Sequence, residues 1–422
     1  MERTLDVYLH HDLTGTLIQN EHGDMLFSYA ESWLNSANAK PLSHSLPLRK
    51  ERFSRNECQG FFGGILPEEG KREIIAKNLG ISARNDFAML EQIGGECAGA
   101  VAFMPSGQPL AERNYHYRPL TDQELVNIFR ELPRRPLMAG EDGIRLSLAG
   151  AQDKIAVQIV DGKISVPLGG APSTHILKPA IARFEGLVFN EALCMRLAHA
   201  IGLRAAKIVV RKVEDIDYLQ VERYDRTMMP RFRGGPEYLK REHQEDFCQA
   251  LGIPSENKYQ HEGGPTIKQC FDLVREICTS PVIDLQVLLD AVIYNFLIGN
   301  HDAHGKNFSI LYTGETLPGQ ATGLAPLYDV LSTVYYPELS RKMAMKIGGE
   351  YVAQDVWPRN FEKLADEAGL AKPMVKRRVS ELAHRVLENL PQIADENPVS
   401  VAVAKLIQNN CEYQLARFKE ST

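Results

Sequence analysis

Apolar and polar positions alternate along much of the first two hundred residues and recur at helical spacing along most of the rest. "LDVYLH", "GTLIQN" and "MLFSYA" predict three short strands, with "EHGD" turning between the last two, so the chain opens as an antiparallel β-meander. "GAVAFM", "KIAVQIV" and "KISVPL" continue the pattern, the last two joined across Asp161-Gly162, a pair suited to a tight hairpin. "THILKP", "AKIVVRKV" and "DYLQVERYD" predict three more strands. One helix interrupts the series: "FNEALCMRLAHAIGL" has apolar residues at helical spacing and Gly202 as its stop.

Beyond about residue 240 the period lengthens. "QEDFCQALGI", "IKQCFDLVREIC", "LQVLLDAVIYNFLIG", "FEKLADEAGL", "PMVKRRVSELAHRVLENL" and "SVAVAKLIQNNCEYQLARFK" predict helices. "FSILY" and "LAPLYDVLST" are extended or turning segments among them. The change of character places a boundary near residue 235, with "RGGPEYLKREH" as the connection.

Composition narrows the class. A chain of 422 residues with 44% hydrophobic positions is globular and long enough for two or three domains. Its net charge of −6 sets up no field that would draw it onto nucleic acid or an anionic membrane, so any such binding is local or supplied by a partner. The apolar stretches fall short of the roughly 20 residues of a membrane span, and "MERTLDVYLHHD" lacks the regions of a signal peptide. A cytoplasmic protein without membrane association is expected. The cysteines at 58, 97, 194, 248, 270, 278 and 411 form no CxxC pair, which predicts reduced, buried thiols.

The chemistry concentrates in "NHDAHGKNF", Asn300 to Phe308. Asp302 and Asn307 have the D-x-x-x-x-N separation of a protein-kinase catalytic loop, where a carboxylate accepts the acceptor hydroxyl's hydrogen bond and an amide oxygen suits hard Mg²⁺. His304 makes the pattern D-x-H-x-x-N, as in aminoglycoside and lipid kinases, and Lys306 could neutralise charge on a transferred phosphate. Two other readings stand beside this one: a polar cap and loop after a helix, and a hydrolase metal site of His301, Asp302 and His304. The order of the remaining parts decides between them. Asp329 in "LAPLYDVLS" suits a second metal carboxylate before an apparent helix start. Lys178 ends an apolar strand and suits nucleotide phosphates, Glu191 opens the following helix, and Glu222 and Tyr224 in "LQVERYDR" flank a backbone suited to adenine. Small residues in "RLSLAGAQDKIAV" let the amides of Ala149, Gly150, Ala151 and Gln152 approach phosphates, although no GxxxxGK[ST] or GxGxxG is present.

Taken in order, "RLSLAGAQDK", "THILKP", "NEALCMRLAHAIGL", "VERYDR", "GNHDAHGKNFSILY" and "LAPLYDVLS" resemble the HipA family of bacterial serine/threonine kinases, the toxins of HipA–HipB toxin-antitoxin systems. "AKPLSHSLPL", "GFFGGILPE" and "EQIGGECAGAVAFMP" extend the resemblance through the N-terminal third. The resemblance implies an α+β, bilobal protein-kinase-like fold. Its expected parts are a β-rich N-terminal subdomain (1–105), the ATP-binding part of the N-terminal lobe (106–235) and an α-helical C-terminal lobe (236–422). It implies Asp302 as the catalytic aspartate and Asn307 and Asp329 as Mg²⁺ ligands. ATP would be held by Leu148, Ala149, Gly150, Ala151, Gln152, Asp153, Lys154, Lys178, Glu222, Tyr224, His304, Lys306, Asn307 and Asp329. Ser147 would be autophosphorylated, driving its loop out of the nucleotide site, with Arg145 free to capture the new phosphate. The implied acceptor is a serine or threonine of another protein, glutamyl-tRNA synthetase for some members, with growth arrest and persistence as the outcome. The implied partners are a HipB-like helix-turn-helix antitoxin dimer and, through that complex, operator DNA, which reconciles an acidic chain with repression of its own operon. The basic run Lys376 to Arg378 reads as the solvated face of a helix. A small-molecule kinase and a catalytically silent corepressor remain as alternatives.

Overall fold

The computed structural model describes residues 2–108, 110, 115–181, 183–229, 238–313 and 321–419. The chain forms two compact units: Met1–Pro179 with Arg211–Glu256 and Leu311–Thr313, and Ala180–Val210 with Asn257–Ile310 and Gly314–Thr422. The boundary expected near residue 235 lies in 230–237, outside the described residues.

The first unit begins with strands β1 (Arg3–Leu9), β2 (Asp12–Gln19) and β3 (Met25–Tyr29), joined later in the chain by β4 (Val101–Pro105). They form an antiparallel sheet of order β3-β2-β1-β4. Leu5, Val7 and Leu9 alternate inward along β1, the period of two that the sequence displays. Asn20 makes the hairpin between β2 and β3, its Oδ1 accepting from the amides of His22 (3.0 Å) and Asp24 (2.9 Å). The sheet's inner face packs Phe27 against Tyr29, Phe53 and Phe62, with ring centroids 4.8 to 6.0 Å apart. Each such ring contributes about 1.5–3 kcal/mol by burial, so Phe27→Ala would break this core first. "QGFFGG" is a π-helical turn, Gln59–Gly63. Gly60 is required there because a Cβ would lie 2.4 Å from the backbone of Gly252.

A second sheet holds β5 (His116–Pro119), β6 (Ile155–Val160), β7 (Lys163–Leu168), β8 (His175–Pro179), β9 (Ile208–Val213) and β10 (Ile216–Glu222) in the order β5-β7-β6-β8-β10-β9. Asp161 and Gly162 both take positive φ, 49° and 77°, which matches the turn to the twist of the strands it joins. Tyr238–Arg241, within the expected connection, is itself a strand pairing Arg226–Met229.

The second unit is mainly helical: Leu187–Ala200, Ile267–Ile277, Pro281–Ile298, Pro358–Glu367, Lys372–Ile393 and Pro398–Lys419. At 18 residues and mean hydropathy 1.6, Pro281–Ile298 is long and apolar enough to cross a membrane, which corrects the expectation that no stretch reaches that length. It is the buried core helix of its unit, and its polar residues are paired inside it. Asp290 accepts a two-pronged bond from Arg378 at 2.6 and 2.7 Å, and Asp284 accepts from the Leu324 amide at 3.1 Å. Arg378 therefore leaves the solvated face expected of Lys376 to Arg378, while Arg377 stays on it, 72% exposed.

Two further expectations change. "QEDFCQALGI" is a single helical turn, Phe247–Ala250, because Asp246 and Gln249 cap each other's amides and Gly252 takes φ 68° just beyond. The α-helix expected directly behind Asp329 does not form; the chain makes a 3-10 turn there, Thr333–Tyr335. All seven cysteines are buried thiols outside any disulfide, as expected.

Candidate active site

The loop after Pro281–Ile298 is built by its asparagines. Gly299 ends the helix in the left-handed conformation, φ 71°. Asn300 then donates its side-chain amide to Asn295 Oδ1 (2.7 Å) and accepts from the Asp302 amide at its own Oδ1 (3.2 Å). Asn307 Oδ1 accepts from the His304 amide at 3.2 Å, closing the 3-10 turn Gly305–Asn307. Asp302 is exposed, His301, His304 and Lys306 are buried, and Asn307 is half-buried. Burial depresses the basicity of His301. Its backbone anchors the loop, donating to Thr333 Oγ1 at 2.8 Å and accepting from the Ala344 amide at 2.7 Å. Tyr259 donates its hydroxyl to Asp302 Oδ1 at 2.7 Å, and its ring meets His304 edge-on at 5.3 Å.

Asp329 is joined to this loop by its neighbour. Tyr328 donates to the Lys306 carbonyl at 2.6 Å, and its hydroxyl lies 2.6 Å from Ser309 Oγ. Asp329 has φ 52°, a left-handed conformation that costs a non-glycine residue about 1 kcal/mol or more and that the surrounding bonds enforce. Those bonds include Asn190, whose amide group donates to the Ser332 carbonyl at 3.0 Å and accepts from its N–H at 2.8 Å. Glu191, next to it, is buried at 3% and lies past the first turn of a helix that begins at Leu187, so it is not a solvated first-turn acid.

The other predicted residues belong to the first unit. Ser147 is fully buried, its hydroxyl donating to the Ile65 carbonyl at 3.0 Å and its N–H to the Glu96 carbonyl at 2.9 Å. Leu148, Asp153 and Lys154 are buried, Ala149, Gly150 and Gln152 half-buried, and Ala151 exposed. Lys154 closes the loop by donating to the Ala149 carbonyl at 2.7 Å, and Lys71 pairs with Asp153 at 2.5 Å. Gly150 has φ 101°, and a Cβ there would lie 2.7 Å from Lys154 Nζ. Arg145 is not free: its guanidinium donates to the carbonyls of Glu91 and Phe103, both at 2.9 Å. Lys178, 4% exposed on β8, is in register with Leu219, and Glu222, exposed, with His175. Tyr224 donates to the side-chain carbonyl of Gln244.

Beneath these residues lies a network that sequence reading passed over. Glu96, wholly buried, accepts from Arg226 (2.9 Å), Arg223 (3.1 Å) and Arg241 (2.9 Å) and from the amide and hydroxyl of Ser173. Asp225 takes a two-pronged bond from Arg223 at 2.8 and 2.9 Å and one from the Gly99 amide at 2.8 Å. Burial alone would raise Glu96, yet Arg226, Arg241 and Arg223 hold it down at about 2. The same carboxylate whose backbone carries Ser147 thus braces "VERYDR" from inside.

The predicted residues form two sets. Asp302, His304, Lys306, Asn307 and Asp329 belong to the second unit, and Ser147 to Lys154, Lys178, Glu222 and Tyr224 to the first. Tyr259 and Tyr328 are added to the second set; Tyr328 stands beside Asp329 in sequence, whereas no local pattern marks Tyr259. Among the described residues no group of three or more His, Cys, Asp or Glu side chains is placed to hold a metal. The hydrolase reading of His301, Asp302 and His304 thus finds no such ligand group. Asn307 and Asp329 carry hard oxygen donors, the kind of ligand that Mg²⁺ would take.

Residues 5–104 match the HipA N-terminal domain and residues 146–390 the HipA-like C-terminal domain. The chain is 47% identical over 398 residues to the Sinorhizobium fredii protein named as the kinase Y4mE, covering 93% of this chain and 92% of that one. It is 29% identical over 402 residues to the serine/threonine-protein kinase toxin HipA of Shewanella oneidensis, covering 92% and 89%. Its structure superposes with a TM-score of 0.85, at 28% identity and 99% coverage of both chains, on a solved Shewanella oneidensis structure described as HipA, HipB and its operator DNA complex. The α+β HipA-like fold is the one the motifs imply, and the ordered domains, the relatives named as kinases and the full-length superposition agree: this chain belongs to the HipA family.

Proposed function

We propose that the protein is an ATP- and Mg²⁺-dependent serine/threonine protein kinase that acts as the toxin of a toxin-antitoxin pair. One observation supports the reading: the Tyr328 hydroxyl bonds the Lys306 carbonyl and Ser309 Oγ, tying the segment that carries Asp329 to the loop that carries Asp302 and Asn307. In the reaction, the acceptor hydroxyl gives its proton to Asp302 as its oxygen bonds the γ-phosphorus and the bond to ADP breaks. Mg²⁺ supplies charge neutralisation at the phosphates, and Asn307 and Asp329 are the residues that would hold it. Lys178, Glu222, Tyr224 and the loop Leu148 to Lys154 bind the nucleotide, with His304 and Lys306 beside the catalytic aspartate.

Ser147 is the proposed site of self-phosphorylation. Its complete burial and its bond to the Ile65 carbonyl mean that the segment must leave its seat for the hydroxyl to react. A phosphate of about −1.5 to −2 charge could not be buried there again, which supports self-inactivation by loop expulsion. Arg145, committed to backbone carbonyls, does not wait for that phosphate. The proposed acceptor is a serine or threonine of a translation protein, glutamyl-tRNA synthetase first among candidates, with growth arrest and persistence following. The proposed partners are a HipB-like helix-turn-helix antitoxin and, through it, operator DNA. The domain limits 1–105, 106–235 and 236–422 are proposed as this machine's working parts, in a cytoplasmic protein.

The test is incubation of the protein with labelled Mg-ATP. Self-labelling at Ser147 is expected, lost in both Ser147→Ala and Asp302→Asn. Labelling that survives in Asp302→Asn would refute the assignment of the base.

A further inference from the structure

A loop that receives the phosphates of a nucleotide gains nothing from an acid of its own, because like charges repel. Leu148 to Lys154 nevertheless carries one, Asp153, and it is buried. Its Oδ1 accepts from the Lys71 amine at 2.5 Å, across 82 positions of the chain. The two side chains are 18% and 8% exposed, so water screens their attraction far less than it would at the surface.

Lys71 sits against local preference. It belongs to the first turn of the helix Glu69–Leu79, where the helix dipole favours acids over cations. Its neighbour Arg72 is balanced by Asp86 and the Ala83 carbonyl, whereas Lys71 reaches the loop. The start of the loop is held from the same side. Ser147, just before it, is bonded to the carbonyls of Ile65 and Glu96, and Leu148 lines a small cavity with Pro67, Lys71, Ile75 and Leu137. Ile65, Pro67, Lys71, Ile75 and Glu96 all fall within residues 5–104, the part that matches the HipA N-terminal domain. That domain clasps the loop at both ends: backbone carbonyls seat Ser147 at the entry, and an ion pair fixes Asp153 near the exit.

We infer that Lys71 is a positioning residue for nucleotide binding: it ties the phosphate loop to the N-terminal domain and cancels the charge of the one carboxylate in that loop. This inference rests on Leu148 to Lys154 being the nucleotide loop. Two effects follow from one amine. With Lys71 in place, the loop amides stay where the fold puts them and Asp153 is neutralised. Without it, the loop opens more often and the phosphates meet an uncompensated carboxylate.

The experiment compares the full-length wild type with Lys71→Met, Lys71→Arg and a double variant, Lys71→Met with Asp153→Asn. Mg-ADP is the probe, since it binds without phosphate transfer; its affinity is read by calorimetry, beside amide exchange in residues 148–154 and the thermal midpoint. Lys71→Met should weaken Mg-ADP about ten-fold and speed exchange in the loop by a similar factor. Lys71→Arg, which keeps the charge, should bind within about three-fold of the wild type. The double variant should recover affinity to within about three-fold, because the repulsion goes with the carboxylate, while its loop still exchanges fast. A purely structural pair would not behave so, since a lost brace is not mended by losing its other half. Wild-type affinity in Lys71→Met overturns the inference, and so does a double variant that binds as weakly as Lys71→Met. Should Lys71→Met fail to fold, the double variant, which leaves no lone charge, carries the test: faster exchange confined to 148–154 upholds the clasp, and wild-type exchange there overturns it. A wild-type chain that does not bind Mg-ADP removes the kinase reading and this inference together, whereas a wild type that binds beside an equally tight Lys71→Met removes the role of Lys71 alone.

Discussion

Glu96 and Asp302 carry the same functional group in opposite surroundings. Glu96 has no exposed surface and faces three guanidinium groups and the amide and hydroxyl of Ser173. Asp302 is exposed, and its Oδ1 accepts from the Tyr259 hydroxyl. A buried carboxylate of the first kind is locked in charge and place, so it braces the chain and cannot exchange protons with a substrate. A carboxylate of the second kind stands at the surface, where a substrate hydroxyl can reach it. The difference teaches that in this chain a carboxylate enclosed by arginines is committed to scaffolding, while one at the surface stays within reach of a substrate.

The comparison is broken most directly at its two poles. Asp302→Asn should lower phosphate transfer by about a thousand-fold with no change in unfolding midpoint; a large stability loss would place Asp302 with Glu96 as a brace. Glu96→Gln should do the reverse in kind, costing about 3–5 kcal/mol in chemical denaturation because Arg223, Arg226 and Arg241 lose a buried counter-charge. A protein that unfolds at the wild-type denaturant concentration would show that Asp225 alone balances the three arginines.

Glu245 sharpens the contrast, because it is buried like Glu96 but has no arginine. Burial raises it to about 7, against the bonds from Ser43, Tyr312 and His44. The folded chain therefore keeps a proton that the unfolded chain releases above about pH 4.5. The stability it contributes is complete below that value and is lost as pH rises through 7. Glu245→Gln, which mimics the protonated acid, should flatten the fall in stability between pH 5 and pH 8 measured by denaturant titration; an unchanged slope would assign the pH dependence to other groups.

Tyr328→Phe is the smallest expected effect. It removes the bonds to the Lys306 carbonyl and Ser309 that join the Asp302 loop to the segment of Asp329, a loss of about 1 kcal/mol. Labelling should fall several-fold at saturating ATP. A fall as deep as that of Asp302→Asn would make Tyr328 part of the chemistry.

How far the sequence foretells this division follows from where its members lie. Asp302, His304, Lys306 and Asn307 occupy one contiguous loop, so their spacing is visible in a string of letters, as are Lys178 at a strand end and Asp329 after an apolar run. The alternation in β1 and the long period of the helices are equally local, and they place most of the elements. Glu96, Ser173, Arg223, Asp225, Arg226 and Arg241 meet only after the first unit has folded, and no spacing links them. The same holds for Tyr259, which reaches Asp302 across 43 residues. The burial of Ser147 is hidden for another reason: "RLSLAG" reads as a polar turn, and only the bridge between Leu146 and Glu96 shows that it is seated in the core. The left-handed Asp329 could not be read from composition either, since "YDVLS" has the letters of a helix start and the bonds of Asn190 and Tyr328 decide otherwise.

The seven thiols have a use that their burial creates. Cys58, Cys97 and Cys248 lie in the first unit, and Cys194, Cys270, Cys278 and Cys411 in the second, all sealed from water. Burial pushes Cys58 and Cys270 alike up to about 12, so in the native chain they are both hidden and protonated. A thiol reagent can therefore modify each unit only as fast as that unit opens. The chain carries two internal clocks, one per unit, that time the opening of each without any added label.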